Sequence, residues 1–445
     1  MGFFATSVAF LIAGLGLLTA GYGYPFAPLR APQTLVVVHM LALGWLSMLM
    51  WGALFQFVPV LVNAPLQGEN TSLAVLGLLV VGTVLLVSGF AHMAGTDYLS
   101  PVLLPAGAFL LCSGFSLGIY GIVLTILRAS SVPVSAGFVV GGLAGLAMTA
   151  TLGVAFTLGL SGMRLAEPVA RITAVGVPIH AALGLVGWLT LTAAGVSYRL
   201  LSMFMLAPEV SQRRQKNVLT LGAIALAATM AGALVLFGGA DATALFWSAG
   251  ALTVAAVICY AGDMFEIYRT RKRRMLELNN QVAAAGLASL AFTTLFAMVA
   301  IVSGTLGDWL GALVFLYAMS WLTTLGLGKL YKIVSFLTWL EVFGPKLGMG
   351  ETPRVQDLVH EHRARWWFAI YVTGTWIAGL SLIAAEHRLF RLACAAALLA
   401  TMAIAVEIWR IRKLKDLRGK WRMLAVESPH LLSTSINRQQ RQGVL

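Results

Sequence analysis

Twelve apolar stretches, each close to or above the 20 or so residues a helix needs to cross a bilayer, take up most of this 445-residue chain. They run over 3–22, 33–62, 72–91, 101–127, 135–160, 174–205, 218–238, 242–267, 281–304, 308–341, 366–384 and 389–410. In lipid every backbone N–H and C=O must be paired within the spanning structure, and for continuous apolar runs of this length the α-helix is what pairs them. The stretches at 33–62, 174–205 and 308–341 exceed one perpendicular crossing, so those helices must tilt or protrude. Composition agrees: 59% of residues are hydrophobic and only 11% charged, whereas soluble domains carry about a quarter charged residues. The sequence therefore predicts an all-α integral membrane protein of about twelve transmembrane helices, with the lipid bilayer as its main partner.

The formal net charge of +13 would suggest nucleic acid in a soluble protein. Here the basic residues fall in a few connections, which is the positive-inside pattern and not a nucleic-acid surface. Arg213, Arg214 and Lys216 follow the sixth stretch. Arg269 and Arg271 to Arg274 follow the eighth, and a basic polar tail runs from Arg410 to Arg441. All follow even-numbered stretches and so share one side. That side is expected to be the cytoplasmic face of a bacterial-type inner membrane, with both termini cytoplasmic. Arg164 and Arg171 form a weaker cluster on the other side. The first 22 residues lack a basic n-region and read as a membrane helix, not a signal peptide. Residues 353–367 read as a partly amphipathic surface segment, and the chain beyond about 425 reads as poorly ordered. Cys112, Cys259 and Cys394 are widely spaced and suggest neither a disulfide framework nor a thiolate metal site.

The chain also repeats itself. Trp45-Leu46-Ser47 recurs as Trp188-Leu189-Thr190 and again as Trp321-Leu322-Thr323. Gly44, Gly187 and Ser320 precede the three tryptophans. Gly52, Gly195 and Gly328 follow two helical turns later, then the aromatics Phe55, Tyr198 and Tyr331, then the polar Gln56, Arg199 and Lys332. The steps of 143 and 133 residues each span about four helices, an even number, so the copies run parallel. Three parallel four-helix repeats with pseudo-threefold symmetry are expected: residues 1–127, 135–267 and 281–410, followed by a basic cytoplasmic tail at 411–445. Each Trp and its Gly lie on one helix face, expected to pack at the repeat seam. The inner polar position, Gln56, Arg199 and Lys332, reads either as snorkelling side chains or as a shared site for an anionic group.

Seven histidines are present, and two of them, His39 and His180, lie within apolar sequence ahead of Trp45 and Trp188. A neutral imidazole at that depth is a candidate ligand for haem or copper, or a core side chain hydrogen-bonded to backbone. His39 stands six residues before its Trp and His180 eight, so they are not equivalent and point to opposite sides of their helices. Met48, Met50, Met203 and Met205 could serve Cu(I) but read more simply as core filling. Asp263, Glu266, Glu341 and Glu407 all lie near stretch ends, and no mid-membrane acid stands out.

Twelve helices, a threefold repeat and a histidine in the second helix resemble the haem–copper oxidase subunit I superfamily. The sparse histidines are more similar to its degenerate relatives, including the NnrS family linked to nitric-oxide tolerance. The resemblance implies His39 as a ligand of a low-spin haem b and His180 as a copper ligand. It also implies a role in nitric-oxide or metal stress, or in respiratory-complex assembly, with respiratory-chain or denitrification membrane proteins as partners. The chain departs from the superfamily in its ligands: Leu313 and Phe315 stand where the tenth helix would carry histidine, and the seventh has no histidine pair. His360-Glu361-His362 falls in a polar connection, and is rejected as a haem motif. The missing ligands argue against terminal-oxidase or nitric-oxide-reductase catalysis. A cofactor-free carrier or scaffold that kept the fold is the rival expectation.

Overall fold

The computed structural model describes residues 1–417 apart from 69–70, 97–98 and 164–165, and also 419 and 421. Arg164, His430 and the tail from 422 onward lie outside the described residues. Among the described residues the fold is all-helical, and twelve helices are long and apolar enough to cross a membrane. They are α1 (Gly2–Ala20), α2 (Pro32–Val62), α3 (Thr71–Met93), α4 (Leu103–Leu127), α5 (Val134–Leu160), α6 (Val177–Met205), α7 (Gln212–Phe237), α8 (Thr243–Thr270), α9 (Leu278–Val302), α10 (Leu306–Lys346), α11 (Glu361–Ile383) and α12 (His387–Arg412). The chain is a multi-pass membrane protein. Its outward side chains fit that solvent: Leu73, Phe109, Leu127 and Val302 are among many large apolar residues left exposed.

Two boundaries differ from expectation for a physical reason. α7 begins at Gln212, not at the start of its apolar run, because Arg214 in its first turn is held by Asp263 and Glu266 of α8. α11 begins at Glu361, where the His360 ring nitrogen accepts a hydrogen bond from the Arg363 backbone N–H and caps the helix. Trp366 and Trp367 thus belong to a membrane helix and not to a surface segment. Ahead of α6 a separate short helix, Glu167–Val175, carries Arg171 paired with Glu167.

The helices group into two compact units, which cut across the repeats read from the sequence. One comprises Arg30–Leu276 and holds α2 to α8. Its closest pairs are the hairpins α3–α4 and α7–α8 and the pair α5–α6, and α5 also packs on α4. Glycines permit the close α3–α4 approach: a Cβ on Gly107 would lie 2.5 Å from the backbone nitrogen of Leu86. The other unit comprises Met1–Leu29 and Glu277–Leu445. There α11–α12 form a hairpin, α9 packs on α10, and α1 packs on α12.

The three long helices share a feature that hydropathy does not reveal. Each contains an eight-residue π-type stretch, Met40–Ser47 in α2, Leu183–Thr190 in α6 and Leu316–Thr323 in α10. Each ends on the Trp-Leu-Ser/Thr motif. The wider turn moves the carbonyl reached by the motif's hydroxyl to the fifth residue back. Thr190 Oγ1 donates to Leu185 O at 2.7 Å, and Thr323 Oγ1 donates to Ala318 O at 2.8 Å. Turns of this kind are uncommon and concentrate where a helix serves more than packing.

Candidate functional site

The π stretches place the two apolar histidines. His39 is the residue immediately before the first π stretch, and its half-buried ring packs on Phe90 of α3 with centroids 4.8 Å apart. Its Nδ1 lies 2.8 Å from the carbonyl of Leu35. A carbonyl only accepts, so Nδ1 carries the proton and the neutral ring keeps its lone pair on Nε2. His180 lies in the first turns of α6, three residues before the second π stretch. Phe156 of α5 meets it edge-on at 5.4 Å, and Gly153 of α5 leaves room for it, since a Cβ there would stand 3.3 Å from His180 Cε1. His180 Nδ1 is buried and has no well-formed hydrogen bond among the described residues, although the Thr149 carbonyl lies near the ring.

The two rings come together, with centroids 6.5 Å apart and planes inclined by 37°. Pointing to opposite sides of their helices does not separate them, because the facing sides of two neighbouring helices are the ones that meet. The separation suits a metal shared by two imidazoles. With a metal–nitrogen bond of about 2 Å on each side, the ring centres stand roughly 6 Å apart. Imidazole nitrogen is a donor that suits copper or the iron of a haem, and the pair would supply two protein ligands. Among the described residues no group of three or more His, Cys, Asp or Glu side chains is placed to hold a metal ion. Two crevices of about 380 Å³ each lie in the same unit, and neither is lined by His39 or His180.

Trp45, Trp188 and Trp321 are all fully buried. The Trp188 indole N–H donates to the Ser47 hydroxyl at 3.1 Å, so the motif's Trp in α6 meets the motif's Ser in α2. Trp321 Nε1 has no hydrogen-bond partner among the described residues. Gly52 is also buried. Gly195 faces α5, where a Cβ would come within 2.5 Å of Phe138 Cβ, and Gly328 faces α9, where a Cβ would come within 2.9 Å of Val282.

The inner polar position is not one shared arrangement. Gln56 is exposed. Arg199 forms a solvent-facing pair with Glu209. Lys332 is mostly buried and pairs at 2.7 Å with a buried Glu277, which also accepts from Gln356 Nε2 at 2.6 Å.

Of the acids near stretch ends, Asp263, Glu341 and Glu407 are buried and paired, while Glu266 is half-exposed and paired with Arg214. Asp263 accepts from Tyr198 at 2.6 Å and meets Arg214 at 2.5 Å. Glu407 takes both arms of Arg363, which also reaches Asp416. Glu341 pairs with Arg412 in full burial. One signal could have revealed two of these clusters. An arginine opens α7 and an acid closes α8, Arg214 with Asp263, and an arginine opens α11 and an acid closes α12, Arg363 with Glu407. Asp416 lies just beyond α12. Burial works to raise its carboxyl pKa, but hydrogen bonds from Arg410 and Arg363 outweigh that and hold it at about 2.

No protein-family model matches the chain, and no curated protein is similar to it at a significant level.

Proposed function

We propose that this chain is an oxidase-like membrane protein in which His39 and His180 jointly hold one transition-metal centre, a copper ion or the iron of a haem b. The observation that carries this is the meeting of two imidazoles from α2 and α6 at 6.5 Å, with a lone pair left on His39 Nε2 and a buried His180 Nδ1 lacking a well-formed hydrogen bond. Such a centre would supply ligand binding or one-electron chemistry. The protein's own part is to fix the His39 tautomer through Leu35 and to keep water away with Phe90 and Phe156. The reading includes three parallel repeats about a pseudo-threefold axis. The common Trp-Leu-Ser/Thr π stretches support it, as does the packing of two of the three first helices on a fourth helix, α5 on α4 and α1 on α12. It also includes a bacterial-type inner membrane with the basic connections and both termini cytoplasmic, and a role in nitric-oxide or metal stress or in respiratory-complex assembly.

The test is metal content and absorption of the detergent-purified protein, produced with haem and copper supplied. About one metal per chain is expected, lost in both His39→Ala and His180→Ala. A Soret band with sharp α and β bands on reduction would identify haem, and copper without those bands would identify the bare ion. A wild-type protein free of both would overturn the reading and leave the cofactor-free carrier or scaffold. That rival has its own observation, since His39 is already hydrogen-bonded and stacked on Phe90 as a packed core histidine would be. For orientation, a reporter fused within residues 269–274 should report the cytoplasm, and an outside signal would reverse the topology.

A further inference from the structure

A crevice of about 380 Å³ opens between the ends of α5 and α7 that carry the basic connections of the Arg30–Leu276 unit. Its size falls within the range of about 300–1,000 Å³ seen for small-molecule pockets. Its lining mixes polar side chains, Ser131, Gln212 and Lys216, with apolar ones, Val132, Pro133 and Leu219. Gly137 closes the floor, because the two helices touch there: a Cβ on it would stand 2.7 Å from Leu219 Cδ2. Further along the same helices, Val140 and Ile224 are exposed to the lipid.

Lys216 differs from Arg199 and Arg214 at this end. Arg199 is matched by Glu209, and Arg214 by Asp263 and Glu266. Lys216 is exposed, and among the described residues no carboxylate pairs with it. Arg213 and the Arg269–Arg274 connection add further positive charge at the same end of the unit. An unneutralised ammonium lining the same crevice as an amide and a hydroxyl suits a phosphodiester, and the apolar lining residues suit the start of an acyl chain. A free phosphate would use only the polar groups. Basic clefts between membrane helices are recognised headgroup sites for anionic lipids.

We infer that the crevice between α5 and α7 binds the headgroup of one anionic phospholipid, with Lys216 as its counter-ion and Gln212 and Ser131 as hydrogen-bond donors. The site is independent of the histidine pair, and its test does not involve metal.

The experiment is native mass spectrometry of the full chain, extracted in mild detergent and equilibrated separately with phosphatidylglycerol, phosphatidylcholine or inorganic phosphate. Wild type should retain one phosphatidylglycerol and no phosphatidylcholine. Lys216→Gln should weaken retention about fivefold, the effect of one basic residue near a headgroup, and Lys216→Glu should weaken it further. Lys272→Gln, in the basic connection but outside the crevice, should retain the lipid. Gel filtration checks folding, and if Lys216→Glu does not fold, Lys216→Gln decides. Equal loss in Lys272→Gln would mean diffuse surface attraction and overturn the site. Undiminished retention in Lys216→Gln, equal retention of phosphatidylcholine, or displacement of the lipid by millimolar phosphate would each overturn it as well.

Discussion

The entrance to the π stretch in α2 and the corresponding point in α10 are built alike but furnished differently. In α2 the residue just before the π stretch is His39, stacked on Phe90 of α3 at 4.8 Å. In α10 it is Phe315, packed edge-on against Phe390 of α12 at 5.5 Å. The π stretch and the buried Trp that closes it are the same with phenylalanine as with histidine. The wide turn therefore does not require an imidazole, and a ring of either kind satisfies the packing. The Leu35 carbonyl, His180 and the polar chemistry that goes with them belong to α2 and α6 alone. Nothing in the π turn itself calls for histidine at position 39, which agrees with the proposed role of its imidazole as a ligand.

The largest effect expected from this comparison is the loss of metal in His39→Phe and in His180→Leu, the side chains that α10 carries at the matching registers. Metal content should fall from about one per chain to background, while the melting temperature changes by only a few degrees. Both are read on the same purified samples. Unfolding of both variants would mean that the imidazoles are structural, and the comparison would break.

Next in size is the helix seam. Gly195→Ala would push a methyl against Phe138 Cβ at 2.5 Å and the Ser135 carbonyl at 2.9 Å, and both belong to the α5 framework. Overpacking of this kind costs about 1–3 kcal/mol. Gly328→Ala meets Val282 Cγ1 at 2.9 Å and Cβ at 3.1 Å, a wider clearance than at Gly195, so it should fall at the low end of that range. Thermal unfolding in detergent ranks the two, and a reversed order would show that the two seams are not packed alike.

A smaller effect is expected of the reverse exchange. Phe315→His would give α10 the ring of α2. It should gain no metal, because Leu313 stands where α6 has His180. It should lose part of the Phe315–Phe390 contact, on the order of 0.5–1.5 kcal/mol. Metal uptake by this variant would show that one imidazole before a π stretch is enough, and would remove His180 from the proposed centre.

What could be read from the sequence follows the same division. Twelve apolar runs are legible because burial of backbone in lipid leaves the chain few choices, and the Trp-Leu-Ser/Thr register is legible because Trp is rare. The π stretches are not, since a wider turn changes which carbonyl a hydroxyl reaches and leaves composition and period nearly untouched. The meeting of His39 and His180 was hidden for a geometric reason: comparing their registers says that the two rings are not equivalents, but not that the helices turn those sides toward each other. The inner acids were hidden because nearness to a helix end suggests exposure. Arg214, Arg363 and Arg412, far away in the chain, are what bury and neutralise them.

The last effect concerns one of those paired acids and is confined to low pH. Asp416 accepts from Arg410 at 2.6 Å and from Arg363 at 2.9 Å, and these bonds keep its carboxyl at about 2 despite burial. An unfolded aspartate titrates near 3.9. A carboxyl whose folded pKa is the lower one contributes stability that is fully present above the unfolded value. That stability is lost as pH falls through the folded value. Asp416 should therefore have no pH-dependent influence above about pH 5, and its contribution should fade between roughly pH 4 and pH 2. Asp416→Asn keeps the shape and removes the titration. Its unfolding midpoint should sit below that of wild type at pH 7, and the two should converge as the pH is lowered toward 2. The comparison is made in acid-stable detergent, with Glu209→Gln as a reference for an exposed pair worth about 0–1 kcal/mol. Parallel curves for wild type and Asp416→Asn from pH 7 to pH 2 would mean that the Arg363 and Arg410 contacts do not set the Asp416 charge.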